Sequence, residues 1–294
     1  MALRFPYQPH SLLTFQRDYE HFVVGTLLPA PARHSFLALR AFNAELATVR
    51  DMTEDNELTG RIRIQWWRDT LADVLAGVPS PNPVADALQE AINEHGLRQR
   101  WLEQAIDARE SNLIEAQPAT LAGLEAYAER SCSSMIYLAQ QCVGLGDECA
   151  EAQTAGRHVG RALGIVNALR STPYSAAHGT APLPRDLLAS HGLDAADLLG
   201  PDGRLREEHA EQLGLVVGVL AQAANAELEA AAAVPRNLIP DEAVPTLLGA
   251  VMARRYLDQL RAAGNNPFDE RMFVQRRVGL QLGMFWANLT GRLY

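Results

Sequence analysis

Carboxylates, arginines and a pair of tryptophans are the residues of this chain with the types and spacing for chemistry. Asp51 and Asp55, and again Asp69 and Asp73, stand four residues apart, which puts each pair on one face of a helix. Such pairs suit Mg²⁺, which takes hard oxygen ligands in octahedral geometry. Each pair also has a plainer reading. Asp69 and Asp73 fit a solvated helix face, and Glu54, Asn56 and Gly60 mark a helix end and loop around Asp55. Glu103, Asp107 and Glu110 alternate with Arg100 and Arg109, a pattern of surface ion pairs worth about 0–1 kcal/mol each. Arg161 and Arg170 offer planar forks suited to phosphate or carboxylate, with pairing to a neighbouring helix as the alternative. Trp67 continues an apolar row. Its neighbour Trp66 points elsewhere and is left for a cavity or a partner surface, where aromatic anchors concentrate. His158, His178 and His191 lack metal-ligand spacing. Cys132, Cys142 and Cys149 form no C-x-x-C pair and read as reduced thiols.

The elements that must position these residues are helices. Leu39, Phe42, Leu46 and Val49 step by three and four, as do Ile64, Trp67, Leu71 and Val74, and Val159, Leu163, Val166 and Leu169. No alternating run forces a sheet. Proline and glycine punctuate between the helical runs, at 77–83, 173–184, 200–203 and 264–267. No repeat or flexible linker divides the chain, so the expectation is one all-α domain over residues 1–294. Gly156, Gly160, Gly164 and Ala168 recur every four residues. A glycine inside a helix costs about 1 kcal/mol against alanine. The row therefore implies close approach of something, either a packed helix or a cavity wall.

Composition narrows the function classes. The 294 residues carry 26 basic and 35 acidic side chains, a formal charge of −9, which argues against a nucleic-acid partner. No uninterrupted apolar run reaches the roughly eighteen residues of a membrane span. Residues 213–234 come nearest and contain Gln222, Asn225, Glu227 and Glu229. Residues 1–30 show no signal-peptide pattern, so the expected location is cytoplasmic, or the mitochondrial matrix for a processed organellar protein. Met284, Phe285, Trp286, Leu289 and Leu293 form an apolar face near the C-terminus, read as core closure or as a partner or peripheral membrane contact.

Two blocks in order carry a resemblance. The first is Ala38-Leu39-Arg40-Ala41-Phe42-Asn43, followed by Gln65-Trp66-Trp67-Arg68. The second is Gly160-Arg161-Ala162-Leu163-Gly164-Ile165-Val166-Asn167-Ala168-Leu169-Arg170, followed by Leu183-Pro184-Arg185-Asp186-Leu187. Together they resemble the squalene/phytoene synthase family over roughly residues 15–260. The resemblance implies an all-α isoprenoid-synthase bundle around a deep central cavity. It also implies an activity, the head-to-head joining of two prenyl diphosphates. Mg²⁺ there bridges diphosphate to two carboxylate clusters on facing helices, because carboxylates repel the diphosphate directly, and helps the leaving group depart.

The chain departs from that pattern. The family's first cluster, Asp-Asp-x-x-Asp, falls on Ala47, Thr48 and Asp51, and Arg50 stands beside the one remaining aspartate. The second cluster should follow Asn167 and Arg170, but its aspartate positions fall on Ser171 and Ser175. No Asp or Glu occurs between Glu151 and Asp186. Serine hydroxyls are neutral and do not replace carboxylates around a cation. Pro173 is expected to break the helix at that point. The resemblance places Ala47, Thr48, Asp51, Asn167, Ser171 and Ser175 at the cavity, and leaves Trp66, Arg68, Arg161 and Arg170 as ligand or partner contacts.

The departures are themselves patterned. Leu169-Arg170-Ser171-Thr172-Pro173-Tyr174 and Phe42-Asn43-Ala44-Glu45-Leu46 resemble a subgroup of the same family, the respiratory complex I assembly factors with a phytoene-synthase-like domain. Arg98, Arg100, Trp101 and Leu102, then Asp107, Arg109, Glu110, Asn112 and Leu113, then Tyr127, Ala128 and Glu129, extend the match. This resemblance implies a catalytically silent protein without a metal cofactor. Its expected partners are complex I subunits or assembly intermediates, and its cavity is free for an isoprenoid or lipid. The alternative is an active Mg²⁺-dependent prenyl transferase with a relocated metal site drawing on Asp51, Asp55, Asp69 or Asp73.

Overall fold

Apolar residues spaced by three and four become helices through nearly all of the computed structural model, which describes residues 9–52, 56–146, 149–273 and 277–292. In chain order the α-helices are α1 (Pro9–Arg17), α2 (Tyr19–Leu27), α3 (Ala30–Ala47), α4 (Val49–Met52), α5 (Glu57–Leu75), α6 (Pro83–His95) and α7 (Gln99–Ile114). They continue with α8 (Leu121–Ala128), α9 (Ser134–Cys142), α10 (Ala150–Ala176), α11 (Arg185–Ser190), α12 (Glu207–Ala233), α13 (Gly249–Ala262) and α14 (Arg277–Thr290). A π-helical turn, Glu129–Ser133, joins α8 to α9. No strand occurs among the described residues. One isolated antiparallel bridge, Leu199 to Leu205, closes the Gly-Pro-Asp-Gly turn, where the Arg204 amide donates to Asp202 Oδ1 at 3.1 Å.

Local chemistry sets the helix ends. At α6 the Asn82 side chain accepts from the amides of Val84 and Ala85, at 2.8 and 3.1 Å, and Pro83 occupies the first turn, where its missing N–H costs nothing. Gly96 then stops the helix in the left-handed region at φ 63°.

The periodic rows of the sequence are the buried rows of the structure. Leu39, Phe42, Leu46, Ile64, Trp67, Leu71 and Val74 join one apolar core with α6, α7 and α9. Val159, Leu163, Val166 and Leu169 join a second, built on α2, α10, α12, α13 and α14. Helices α3 and α9 serve both: Phe36, Leu37, Ile136 and Ala139 face the second core, and Leu39, Phe42, Met135 and Leu138 the first.

The glycine row of α10 is explained by packing. A side chain on Gly160 would collide with the Ser133 backbone, and one on Gly164 with Ala128 Cα at 2.8 Å. Gly156 is similarly filled by Ile136 and Gln140. The row lets α10 lie directly on α8, the π turn and α9.

Pro173 does not break α10, contrary to expectation: the helix runs on to Ala176. Proline removes the donor to the Leu169 carbonyl and crowds that carbonyl, but only one short turn of helix follows it and has to be carried past the fault. The remaining turn is held by the Ala177 amide donating to the Pro173 carbonyl at 3.3 Å, and the Thr172 hydroxyl donates to the Ala168 carbonyl at 2.9 Å. Helix α12 is long and apolar enough, by length and composition alone, to cross a membrane. Here it buries Leu213, Val216, Val217, Leu220, Ala224, Leu228 and Ala231 along one face against the second core, as an amphipathic core helix does. Helix α14 divides the C-terminal apolar run. Leu280, Met284 and Ala287 are buried, while Val278, Leu282, Phe285, Trp286 and Leu289 stay exposed.

Candidate functional site: an arginine-rich cavity

Helices α3, α8, α10 and α13, the π turn and the segment joining α1 to α2 enclose a cavity of about 1430 Å³. Its α3 wall presents Asn43, Ala44 and Ala47, and its α10 wall presents Gly164, Asn167, Ala168, Ser171 and Ser175. Spacing explains the second wall, since Asn167, Ser171 and Ser175 are successive fourth residues on one face. The Ser171 hydroxyl donates to the Ala168 carbonyl at 3.2 Å, and the Asn167 amide contacts Cys132 Sγ at 3.9 Å.

Charge on the lining is lopsided. Among the described residues, seven arginines line the cavity against three carboxylates, Asp18, Glu20 and Glu115. Each carboxylate already has an arginine: Asp18 with Arg40, Glu20 with Arg170 at 2.8 Å, and Glu115 with Arg185 at 3.4 Å. Burial works to raise the Asp18 carboxyl, but the Arg40 guanidinium and His21 outweigh it and hold Asp18 far below the usual carboxylate range. Arg109 reaches in from α7 and donates to Tyr127 Oη at 2.7 Å and to Asn43 Oδ1 at 3.4 Å. The lining also includes Leu163, Met252 and Leu280, all buried. Tyr256 lines the same region, and burial pushes its phenol well up.

Other expected site residues lie elsewhere. Thr48 is not on the cavity lining, because its hydroxyl turns back onto the carbonyls of Ala44 and Glu45, both at 3.1 Å. Arg68 is not on it either, since Asp107 and Glu110 hold it at 2.7 and 2.5 Å on the α5–α7 surface. Arg161 pairs with Glu129 at 2.5 Å and Glu227 at 3.5 Å between the π turn, α10 and α12. Trp66 sits half-exposed, edge-to-face on Trp67 with ring centres 5.0 Å apart, away from the cavity. Arg170 does line the cavity, in its pair with Glu20. Asp51 belongs to α4, but its side chain lies outside the described residues, as does all of Asp55. Asp69 and Asp73 are exposed, and Asp69 accepts from Gln65 at 2.8 Å. Among the described residues no three His, Cys, Asp or Glu side chains gather as a metal-holding group.

Asp18 and Arg130 carried no sign of a role in the sequence, and Arg40 stood in the first resemblance block without one assigned. They meet the cavity through tertiary packing of α1, α3 and the π turn, which no local spacing encodes.

The family model for squalene/phytoene synthases matches residues 16–282. The chain belongs to the squalene/phytoene synthase family. Family membership fits the solved structures that superimpose on it. A dehydrosqualene synthase in complex with ligand aligns with TM-score 0.78 over 96% of each chain at 17% identity. A squalene synthase from Alicyclobacillus acidocaldarius aligns with TM-score 0.72 over 88% of this chain and 94% of its own, at 20% identity. Within the family, the NADH dehydrogenase (ubiquinone) complex I assembly factor 6 of Bos taurus is 37% identical over 84% of this chain and 71% of its own length. A presqualene diphosphate synthase of Rhodopseudomonas palustris is 30% identical over 58% of this chain and 60% of its own.

Proposed function

We propose that this member of the family is a catalytically silent protein that acts in the assembly of respiratory complex I, and that its cavity is retained to hold an isoprenoid or lipid. The observation that carries the reading is the likeness to complex I assembly factors. It runs over more of the chain, and at higher identity, than the likeness to presqualene diphosphate synthases. On this reading the chain is one domain, since α3 and α9 serve both apolar cores.

The donor set supports silence. Mg²⁺ that grips a diphosphate needs carboxylates to balance its charge. Ser171, Ser175 and Ala47 stand on the cavity walls at positions that the resemblance gives to aspartates, and the three lining carboxylates among the described residues are each engaged by arginine. These residues do not fit Mg²⁺, and no chemical step is drawn through it. The partners are then complex I subunits or assembly intermediates. The exposed apolar stripe of α14 supports a peripheral membrane contact on the side where those intermediates are built.

Deleting the gene and resolving complex I on native gels tests the reading. Accumulated subassemblies and lost NADH:ubiquinone activity are expected, and fully assembled complex I would overturn it. Purified protein incubated with farnesyl diphosphate and Mg²⁺ tests the silence, and release of pyrophosphate there would restore the transferase.

A further inference from the structure

Helix α1 docks by polar residues. Its two buried side chains are His10 and Thr14, about one turn apart on one face, while Leu12 and Phe15 are exposed. Leu13 adds a half-buried contact to the first core. The Thr14 hydroxyl shares its proton between the carbonyl of His10 at 3.0 Å and that of Leu37, on α3, at 3.1 Å. His10 is only 2% exposed, and its Nε2 has no hydrogen-bond partner among the described residues. Its ring stands edge-on to the ring of His34 on α3, with centroids 4.6 Å apart.

The charged groups on the elements packed around His10 are engaged elsewhere. His34 turns its Nε2 to Glu90 of α6 at 3.0 Å. Arg33 donates to the carbonyls of Gly25, Thr26 and Leu28. Asp18, in the link to α2, holds Arg40 and His21, and Glu20 holds Arg170. On α6, Glu94 and His95 meet at the Ser35 hydroxyl, 3.5 and 3.0 Å away, and Asp86 is exposed. Arg17 and Glu45 lie about two and three turns further along α1 and α3. A proton added to His10 in place therefore puts a charge, and a donor without an acceptor, into a sealed space beside a second imidazole. Releasing α1 puts the same ring in water, where it protonates freely.

We propose that α1 is an acid-sensitive strap, driven off α3 and α6 when His10 takes up a proton. The far end of the strap carries Phe15, Gln16 and Arg17, which stand on the cavity wall, so release unfastens that wall. The device is independent of what the cavity holds and of any part in complex I assembly. Burial, and after it the charge of His34, push the docked His10 down from the ordinary 6.5 to about 4. Docking is therefore complete above 6.5, weakens about tenfold for each pH unit below it and levels off near 4.

Hydrogen exchange of the full chain, with each rate divided by the intrinsic rate at its pH, reads the docking of α1. Protection of the amides of residues 13–17 is expected to fall roughly thirtyfold between pH 7.5 and pH 5, while the amides of α6 keep theirs. His10→Leu replaces the titrating ring by an apolar side chain of similar size, and should hold at pH 5 the α1 protection it has at pH 7.5. Should that variant fail to fold, the wild-type ring decides: in histidine-labelled protein the NMR signal of His10 is expected to titrate only together with the loss of α1 protection. Unchanged α1 protection at pH 5 overturns the proposal. So does an equal loss in His10→Leu, a loss shared by α6, or a His10 ring that protonates while α1 stays docked.

Discussion

Ser133 occupies the space where a side chain at Gly160 would begin: a Cβ there would fall 2.5 Å from Ser133 Cα and 2.6 Å from its amide nitrogen. Backbone cannot yield as a flexible side chain does, so α10 and the π turn would have to separate. Gly160→Ala gains helix propensity of about 1 kcal/mol but is expected to lose more, a net destabilisation of roughly 1–3 kcal/mol. Gly214→Ala, also inside a helix but with its nearest neighbour at 3.6 Å, is the control. It should stabilise by about 0.5–1 kcal/mol. Urea midpoints of the two variants should move in opposite directions, and a neutral Gly160→Ala would mean that the two backbones are not in contact.

The Asp18–Arg40 pair ties the start of α2 to α3 at the cavity. Both side chains are mostly buried, so removing one partner strands the other. Asp18→Asn is expected to cost roughly 3 kcal/mol at neutral pH. Because Arg40 and His21 hold the Asp18 carboxyl well below its value in the unfolded chain, the contribution has a definite pH sign. It is fully present above the unfolded value of about 4 and is lost as pH falls through the depressed folded value. The stability gap between wild type and Asp18→Asn should therefore narrow on acidification, read from denaturant curves across the acid range. A gap that widens would contradict the pairing.

Much of the fold was legible because burial in helices writes itself as a period. Leu39, Phe42 and Leu46, or Val159, Leu163 and Val166, announce their inward faces by spacing alone. The α10 wall of the cavity was legible for the same reason, since Asn167, Ser171 and Ser175 share one face. Thr48 stands off the cavity because a hydroxyl can satisfy itself on its own helix, Arg68 because it pairs with the carboxylates that packing supplies, and Arg161 takes the pairing with neighbouring elements that its residue type had left open. Pro173 misled because a proline near a helix end has little left to disrupt. Asp18, in the link between α1 and α2, and Arg40, on α3, lie 22 residues apart, and their pairing is a product of tertiary packing that spacing does not register.

If the α10 wall lacks only its carboxylates, restoring them should restore cation binding. Ser171→Asp with Ser175→Asp places two carboxylates four residues apart on the cavity face. The double variant is expected to gain a rise in Tm with added Mg²⁺ in the presence of pyrophosphate, while wild type shows none. A wild-type protein stabilised by Mg²⁺ and pyrophosphate would locate a cation site elsewhere in the chain and count against catalytic silence.

Helix α14 keeps Val278, Leu282, Phe285, Trp286 and Leu289 in solvent, each more than half exposed, while Leu280, Met284 and Ala287 on the opposite face hold it to the core. From residue 277 to 294 the sequence holds Arg277 and Arg292 and no acidic residue, in a chain that is acidic as a whole. An apolar face with aromatic residues and a basic surround is the pattern of a helix lying in a membrane interface, drawn by apolar burial and by anionic lipid. Binding to vesicles of anionic composition is therefore expected and should weaken as salt rises, because the basic contribution is screened. Phe285→Ser with Trp286→Ser removes two of the largest exposed side chains without touching Met284 or Ala287. The double variant should fall off the vesicles, with its unfolding midpoint little changed. Binding that survives this change, or that is equal for neutral vesicles, would mean that α14 does not face the membrane.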